Sequence, residues 1–328
     1  MRWLLAVATL LLLGLAPASA EIEIHEWNVP WSDTRPRDPD VGDESAGVVW
    51  FVGQKDDYLG RLDTASGEFE RIELPEGTGP HNQIVDRDGT VWIAGNQDAY
   101  IGHYDPESGE LHRIDMPDGH PRDPHTLMFD GEGHIWFTAQ RSNVIGRLNK
   151  STEAIDLIEV PTERARPYGI VVDADGRPWI AMVGTYKLAT VDPETLELEE
   201  ILLPRTDAAP RRIAIGSDGG IWYVDYAQGY LGRLDPDTRD IREWRAPANA
   251  NSRPYAMAAD DAGNVWFFET GPQPNRLVGF AIDSEQFHSI TEVPSGGRTV
   301  RHAVFHEPTH TIWFGADTNT IGRVDLPD

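Results

Sequence analysis

Residues 80–93 read Pro-His-Asn-Gln-Ile-Val-Asp-Arg-Asp-Gly-Thr-Val-Trp-Ile, and related stretches recur along the whole chain. The tryptophan of this stretch has counterparts spaced by 42 to 47 residues. The seven copies are Trp50, Trp92, Trp136, Trp179, Trp222, Trp266 and Trp313. A proline lies twelve residues before five of them, at Pro80, Pro124, Pro167, Pro210 and Pro254. A period of this length is typical of repeat architectures, in which each repeat is one supersecondary unit.

The repeats are predicted to be β-structure. Segments such as 84–86 and 91–93 are short and rich in β-branched and aromatic residues, as strands are. Asp-Gly pairs at 88–89, 175–176 and 218–219 lie between apolar runs, which is a strong hairpin signal. Helical repeats of about 40–47 residues are the alternative, but no apolar stripe at three-to-four spacing supports them. The pattern predicts an all-β, seven-bladed β-propeller of four-stranded blades.

The two ends of the chain are predicted to meet in the last blade. The seventh repeat stops at Gly322–Pro327, after three strands. The segment Glu21–Pro30 matches the repeat endings at Phe69–Pro75 and Ile241–Pro247. We therefore expect the N-terminal strand to close the last blade, which removes the exposed strand edges of an open sheet. Residues 21–328 are expected to form a single propeller domain.

The first twenty residues are predicted to be a cleaved secretory signal peptide. Arg2 precedes the apolar run Trp3–Leu15, and the small residues Ala18-Ser19-Ala20 follow. The expected location is periplasmic or secreted. No other apolar run approaches the length of about 20 residues that a membrane-spanning helix needs, so membrane insertion is not expected.

The composition excludes several classes of function. The chain has 28 Lys+Arg against 54 Asp+Glu, a formal net charge of −26, which argues against binding of nucleic acid. It has no cysteine, so disulfides, thiolate metal sites and cysteine nucleophiles are excluded. No motif indicates an organic cofactor.

Polar residues are predicted to ring the central channel where the first strand of each repeat begins. The residues eleven positions before the tryptophans are Pro39, His81, His125, Tyr168, Arg211, Tyr255 and His302. Six of the seven are large and able to form polar contacts, which favours a site for a small-molecule ligand. A polar lining that holds only water is the alternative. Tyr168, Asn82 and Asp225 are expected to contact the ligand.

Two predicted sets of residues offer metal ligands. His81, His125 and His302 can supply three imidazoles to a divalent ion, or one of them can act as a general base. A second ring follows the tryptophans and reads Gln54, Asn96, Gln140, Val183, Asp225, Glu269 and Asp317. Its carboxylates suit Mg²⁺ or Ca²⁺. Solvated loop acids in a very acidic protein are the alternative.

The motifs Arg-Pro-Tyr-Gly-Ile at 166–170, Val-Trp-Phe at 265–267 and Ile-Gly-Arg-Val at 321–324 resemble the virginiamycin B lyase (streptogramin B lyase) family. The resemblance extends over 21–328. It implies a seven-bladed propeller and a Mg²⁺-dependent elimination, which opens a cyclic depsipeptide by breaking a C–O bond without water.

The resemblance also implies roles for particular positions. It places His302 at the general base, Val300 at a metal glutamate, Asp317 at a metal acid and Tyr255 at a second histidine. The expected catalytic residues are His302, Arg301, Arg211 and Tyr255. The expected ligands of Mg²⁺ or another divalent metal are Asp317, Glu269, His81 and His125.

The expected function is that of an exported, monomeric, lyase-like propeller acting on a cyclic ester or related small ligand in the funnel. A non-enzymatic binding propeller for a ligand or protein is one alternative. A trihistidine metal-binding protein or hydrolase is the other.

Overall fold

The computed structural model describes residues 22–42, 45–117 and 123–327, so the predicted signal peptide lies outside the described residues. Within these ranges, twenty-eight strands form seven four-stranded antiparallel sheets, and two short 3-10 helices are the only helical elements. None of the helices in the described ranges is long and apolar enough to cross a membrane. The prediction of an all-β, seven-bladed propeller is confirmed.

Each sheet is one blade, numbered here from the first complete blade in the chain. Blade 1 contains β2 (Pro36–Val41), β3 (Val48–Gly53), β4 (Tyr58–Asp63) and β5 (Phe69–Glu73). Blade 2 contains β6 (Gln83–Val85), β7 (Val91–Gly95), β8 (Tyr100–Asp105) and β9 (Glu110–Asp115). Blade 3 contains β10 (Pro124–Phe129), β11 (His134–Ala139), β12 (Val144–Asn149) and β13 (Ile155–Glu159). Blade 4 contains β14 (Pro167–Val172), β15 (Pro178–Met182), β16 (Lys187–Val191) and β17 (Leu198–Leu202).

Three further blades complete the ring. Blade 5 contains β18 (Pro210–Ile215), β19 (Ile221–Asp225), β20 (Tyr230–Leu234) and β21 (Ile241–Arg245). Blade 6 contains β22 (Pro254–Ala259), β23 (Asn264–Glu269), β24 (Arg276–Ala281) and β25 (Gln286–Glu292). Blade 7 contains β26 (Val300–His306), β27 (Thr311–Ala316), β28 (Thr320–Asp325) and the N-terminal strand β1 (Glu23–Asn28). The 3-10 helices span Asn249–Asn251 and Glu307–Thr309.

Strand β1 closes the ring, as predicted. It pairs antiparallel with β28 from Glu23 opposite Asp325 to Asn28 opposite Thr320. The indole of Trp27 stacks on that of Trp313 with ring centroids 5.6 Å apart. The side-chain amide of Asn319 donates to the backbone oxygen of Val29 at 3.0 Å. The first and last strands of the chain are therefore held in one sheet by backbone pairing, aromatic stacking and the hydrogen bond from Asn319.

The apolar core lies between neighbouring blades. Among the described residues it divides into seven clusters, and each cluster joins two consecutive blades around the ring. The repeat tryptophans fill these spaces, and each of them is at most 5% exposed. A blade alone exposes both of its apolar faces, so it depends on its two neighbours to bury them.

In blades 4 and 6, an aspartate at the start of the first hairpin also anchors the repeat tryptophan. In blade 4, Gly176 adopts φ +75° in the turn, and the carboxylate of Asp173 accepts a hydrogen bond from the indole of Trp179 at 2.8 Å. The carboxylate of Asp260 accepts the corresponding bond from Trp266 at 2.7 Å. A turn residue therefore satisfies the one polar group of a buried tryptophan.

Candidate active site

The first strand of each blade lines the central channel, and the strands β2, β6, β10, β14, β18, β22 and β26 contact one another around it. Their starting points follow from strand register. Pro124 pairs with Ala139, three residues after Trp136. In blade 1 the residue paired at the equivalent position is Pro36, and in blade 7 it is Val300.

The register corrects the predicted ring at two positions. The hairpin between the first two strands is two residues longer in blade 1 than in blade 3, and one residue longer in blade 7. Counting back from the tryptophan therefore selects the wrong residue in these blades. The prediction that Pro39 and His302 belong to the ring was wrong, and Arg37 and Arg301 take their places.

The corrected set is called here the entry ring. It consists of Arg37, His81, His125, Tyr168, Arg211, Tyr255 and Arg301. The residues that follow them form a second layer, one position further along each strand. It consists of Asp38, Asn82, Thr126, Gly169, Arg212, Ala256 and His302. Every entry-ring position is polar or aromatic, and the second layer continues this character in five of seven blades.

Two tyrosines and an arginine pack together in the entry ring. The hydroxyl groups of Tyr168 and Tyr255 form a hydrogen bond with each other. The guanidinium of Arg211 lies 3.9 Å from the ring centroid of Tyr255 and 5.0 Å from that of Tyr168. Tyr226 offers a third ring at 4.5 Å. Arg211 is therefore surrounded by aromatic faces that favour a cation.

The two hydroxyls differ in acidity. Burial raises the pKa of Tyr168, but the guanidiniums of Arg211, Arg37 and Arg212 outweigh burial and lower that pKa to about 7. Burial and the neighbouring Tyr168 raise the pKa of Tyr255. A pair of titratable groups whose pKa values are pushed apart suits proton transfer, because one can act as a base while the other stays protonated.

Two buried arginines share one carboxylate in these layers. The Nε of Arg37 donates to Oδ1 of Asp38 at 3.0 Å, and Nη2 of Arg212 donates to Oδ2 at 3.3 Å. Asn82 also donates to Oδ2 of Asp38, at 3.1 Å. Although burial acts in the opposite direction, Arg37, His302 and Arg212 hold the pKa of Asp38 well below its usual range. The carboxylate is therefore ionised, and it balances only one of the two guanidiniums.

Some donors in the cluster have no partner. The Nη2 of Arg37 and the Nε of Arg211 are buried without a hydrogen-bond partner among residues 22–42, 45–117 and 123–327. Buried donors are normally satisfied, and donors left free in a channel can bind an anionic ligand. The cluster thus carries excess positive charge and free donors in a protein whose net charge is −26.

The three predicted histidines are not arranged around a common point. The rings of His81 and His125 pack at 3.5 Å between centroids. Nδ1 of His81 is 3.0 Å from the backbone oxygen of His125, and Nδ1 of His125 is 2.9 Å from the hydroxyl of Thr126. Burial lowers the pKa of both rings. Among the described residues, no group of three metal-binding side chains contains any of these histidines.

His302 follows Arg301 in β26 and therefore lies in the second layer. It lines the part of the channel into which the first strands continue beyond the entry ring. The channel there encloses a cavity of about 330 Å³ with mostly apolar walls, including Leu127, Ile213 and Met257. Burial lowers the pKa of His302 to about 3, so the imidazole is neutral at physiological pH. Its Nδ1 is buried with no partner in the part of the chain that the structure describes.

The predicted carboxylate ligands are engaged by arginines. Arg301 binds Asp317 through two bonds, from Nε at 3.0 Å and from Nη2 at 2.6 Å. Glu269 is 0% exposed, and it accepts bonds from Nε of Arg276 at 3.0 Å and from the backbone of Ala248 at 2.7 Å.

Asp225 is likewise 0% exposed. It pairs with Arg205 at 2.6 Å and accepts a bond from the backbone N–H of Ala209 at 2.9 Å. Asp225 therefore has no exposed atom with which to contact a ligand, contrary to the prediction.

These residues do not fit the magnesium site that the resemblance implies. Val300 is a buried hydrocarbon side chain where a glutamate is implied. Asp317 and Glu269 already serve as partners of guanidiniums, which compete with a cation for carboxylate oxygens. A hard divalent cation therefore finds no free set of oxygen ligands among these positions.

A polar cavity of about 390 Å³ borders the entry ring between blades 7 and 1. Arg35, Lys55 and Arg298 line it, together with the carboxylates of Asp33 and Asp317. Asp317 connects it to Arg301 of the entry ring. This cavity gives a small polar molecule room next to the entry ring.

Sequence reasoning missed Arg37, Asp38, Arg212 and Tyr226. The signal available was the pair of charged doublets at 37–38 and 211–212, each inside a strand that lines the channel. A charged side chain in such a strand is costly to bury unless it is paired. The irregular first repeat hid the doublet at 37–38, because no proline spacing marked where its first strand begins.

Comparisons with known proteins agree with this architecture. A streptogramin B lyase structure is 25% identical, covers 93% of this chain and 98% of its own, and has a TM-score of 0.83. A catalytically inactive virginiamycin B lyase from Staphylococcus aureus with quinupristin is 24% identical, with coverage of 94% and 100% and a TM-score of 0.84. Hydrazine synthase from Kuenenia stuttgartiensis is 10% identical, with coverage of 91% and 97% and a TM-score of 0.75, and it shows the fold alone.

No curated protein matches the sequence. The family model of the virginiamycin B lyase family matches residues 22–324, nearly the whole described chain. The chain belongs to the virginiamycin B lyase family.

Proposed function

We propose that this chain is an exported, monomeric lyase that binds a small anionic ester at the entry ring and breaks a C–O bond by elimination. One observation carries the proposal. Arg37 and Arg212 share the single carboxylate of Asp38, and the guanidinium of Arg211 lies 5.0 Å from the ring centroid of Tyr168, whose pKa is about 7. Excess buried positive charge attracts an anion, and a tyrosine ionised near neutral pH can act as a base.

The elimination assigns a role to each group. The phenolate oxygen of Tyr168 takes a proton from the carbon next to a carbonyl. The electrons of that C–H bond form a C=C bond, and the C–O bond of the ester breaks so that the oxygen leaves as a carboxylate. The guanidiniums of Arg211 and Arg37 stabilise the charge that develops on the carbonyl oxygen and on the leaving carboxylate.

Tyr168 suits the role of base better than His302 does. A base is most effective when its pKa lies near the working pH, and the pKa of His302 is lowered to about 3 by burial. His302 also lines the channel on the other side of the entry ring. No step in the proposal passes through a metal, because the residues at the implied magnesium positions are Val300 and carboxylates held by arginines.

The test is turnover of cyclic and carboxylated esters, including quinupristin, by the purified protein. Elimination creates a conjugated double bond, which ultraviolet absorbance detects. It leaves the mass of a cyclic substrate unchanged, whereas hydrolysis adds one water. Tyr168→Phe should lower kcat by about 100-fold or more, in the range of a missing general base. The matched control Tyr226→Phe should retain most activity. Equal activity of Tyr168→Phe and the wild type would refute the proposed base.

The pH dependence has a definite sign. The base must be ionised, so turnover should rise as pH increases through about 7, the pKa of Tyr168, and then level off. A chelator should leave turnover unchanged. Turnover that is already at its plateau at pH 5 and disappears in His302→Gln would instead identify the histidine as the base, because the pKa of His302 is lowered to about 3.

A non-enzymatic anion-binding propeller is the second candidate. It is favoured by the burial of the tyrosines, because Tyr168 is 3% exposed, Tyr255 is 1% exposed and the two are hydrogen-bonded to each other. In that case Tyr168→Phe should keep its affinity for a carboxylate ligand, and no substrate should turn over. Arg211→Gln should weaken binding in either case.

Export is tested separately. If residues 1–20 are a cleaved signal peptide, the protein outside the cytoplasm should begin near Glu21 by N-terminal sequencing. A chain that stays in the cytoplasm with Met1 intact would contradict export.

A further inference from the structure

A group of metal-binding side chains lies on the outer part of blades 2 and 3, away from the entry ring. His103 in β8 and His112 in β9 are directly opposite each other in the strand register. Glu153 lies in the turn between β12 and β13 of the next blade. One potential ligand atom from each residue lies within 4.8 Å of the other two.

The group is held from several sides. The rings of His103 and His112 lie 4.9 Å apart, and His103 packs on Trp92 at 4.8 Å. Nε2 of His112 is 2.9 Å from Oε1 of Glu153. The backbone N–H of Glu153 donates to the backbone oxygen of Asn149 at 2.9 Å, which closes the turn. Little rearrangement is therefore needed to bring the three side chains onto one ion.

We propose that His103, His112 and Glu153 form a site for one divalent transition-metal ion, Zn²⁺ or Cu²⁺. Two imidazoles and one carboxylate are a common ligand set for such ions, and the exposed position leaves room for water as a fourth ligand. The site joins blade 2 to blade 3. It is independent of the proposed elimination, since none of its residues belongs to the entry ring or the second layer.

Two imidazoles and one carboxylate favour a transition-metal ion over Mg²⁺ at this site. A metal binds the neutral imidazole, so protonation competes with it. Burial, followed by the charge of His112, lowers the pKa of His103, which reduces proton competition at that ring. Mg²⁺ should not bind, because it prefers oxygen ligands in an octahedral arrangement.

A second group in the structure provides a control. Glu23, His25 and Asp325 also bring potential ligand atoms within 4.8 Å of one another. This group has only one imidazole, and Arg323 pairs with the carboxylate of Asp325 at 2.8 Å. We expect it to bind transition metals far more weakly than the two-histidine site.

The test is calorimetric titration of Zn²⁺ into untagged, chelator-treated wild-type protein. One ion per chain is expected. His112→Gln and His103→Gln should each weaken binding by about tenfold or more, since loss of a ligand costs at least as much as loss of a supporting residue. His25→Gln should leave the affinity unchanged. No saturable binding, or equal affinity in the wild type and His112→Gln, would overturn the proposal.

A second measurement separates this site from scattered surface binding. Zn²⁺ should raise the melting temperature of the wild type, because a ligand that binds only the folded state stabilises it. The shift should shrink in Glu153→Gln, which changes one exposed side chain and keeps its size. If His103→Gln loses folding through its contact with Trp92, the exposed positions 112 and 153 still decide the question. A shift that is the same in Glu153→Gln and His112→Gln as in the wild type would also overturn the proposal.

Discussion

In the entry ring and second layer, Arg37 and Arg212 share the carboxylate of Asp38, and all three residues are at most 3% exposed. Burying a charge is costly unless an opposite charge and hydrogen bonds compensate it. Here two cations depend on one anion, and Arg212 also donates to the backbone oxygen of Arg301 at 3.1 Å. Arg212 of blade 5 therefore bonds to blade 1 through Asp38 and to blade 7 through Arg301 across the channel.

Replacing Asp38 by Asn should destabilise the fold strongly. The change leaves two buried guanidiniums without a counter-charge, and removing one partner of a buried pair typically costs about 3–5 kcal/mol. Urea denaturation followed by circular dichroism measures the loss. Asp33→Asn, which changes an exposed carboxylate paired with Lys55, is the control and should have little effect. Equal stability of Asp38→Asn and the wild type would show that the carboxylate is not needed.

Three buried histidines should make the fold sensitive to mild acid. Burial lowers the pKa of His81, His125 and His302 below the unfolded value of about 6.5. As pH falls below about 6.5, the unfolded chain takes up protons that the folded chain does not, so stability is lost. For His302 this loss continues down to about pH 3.

Urea denaturation at pH 7.0 and pH 5.5 tests this expectation. The three groups together should reduce the free energy of unfolding by about 4 kcal/mol over this interval, or about 1.3 kcal/mol for each group. In His302→Gln the loss should be about one third smaller, because one of the three titrating groups is removed. A free energy of unfolding that is the same at both pH values would contradict the expectation.

At the scale of the strand, the six-residue strand β1 closes the propeller ring. It is the only strand of blade 7 that comes from the start of the chain, and it forms the outer edge of that blade. Glu26 in this strand accepts bonds from the hydroxyls of Ser295 and Thr320, each at 2.7 Å. The strand therefore connects blade 6 to blade 7 as well as closing the ring.

Trp27→Ala should weaken the closure. The change removes the stack on Trp313 and opens a gap beside it. A fully buried Trp→Ala change costs about 3–5 kcal/mol, so about 2 kcal/mol is expected for this half-buried ring. Chemical denaturation measures the loss, and faster amide exchange in β1 and β28 should accompany it. Leu202→Ala, at a side chain 59% exposed, is the control. Unchanged amide exchange in β28 would show that β1 does not hold the closure.

At the scale of the whole molecule, charge is distributed unequally. The chain carries a net charge of −26, whereas the entry ring and second layer contain four arginines and one aspartate. The exterior is therefore acidic, whereas the entry ring and second layer are basic. Self-repulsion of the acidic exterior destabilises the compact state, and dissolved salt screens it.

Salt should therefore stabilise the protein. The melting temperature should rise between about 10 and 150 mM NaCl, because the Debye length falls from about 30 Å to about 8 Å. A variant with three exposed changes, Glu107→Gln, Glu110→Gln and Glu197→Gln, should show a smaller rise. A melting temperature that falls with added salt would mean that attractive ion pairs outweigh the repulsion.

The fold and the closure of the ring could be predicted from the amino-acid sequence alone. The repeated tryptophan, the Asp-Gly turns and the apolar alternation are local features of the sequence. Each repeat therefore predicts a four-stranded sheet without information from the other repeats. The seventh repeat stops after three strands at Gly322–Pro327, and Glu21–Pro30 matches the fourth-strand endings of other repeats, which identified β1 as the missing strand of blade 7. The sequence also indicated His81, His125, Tyr168, Arg211 and Tyr255 as neighbours around one ring.

The set of residues that share the site, and their pairing and protonation, could not be predicted without the three-dimensional arrangement of the blades. Longer hairpins in blades 1 and 7 shift the register, so Arg37 and Arg301 enter the ring and His302 moves to the second layer. Arginines that lie 7 to 20 residues away in sequence bind the carboxylates of Glu269, Asp225 and Asp317. Pairing and burial depend on distances across the channel, and a repeat pattern does not contain those distances. The acidity of Tyr168 follows from three guanidiniums that come from two blades.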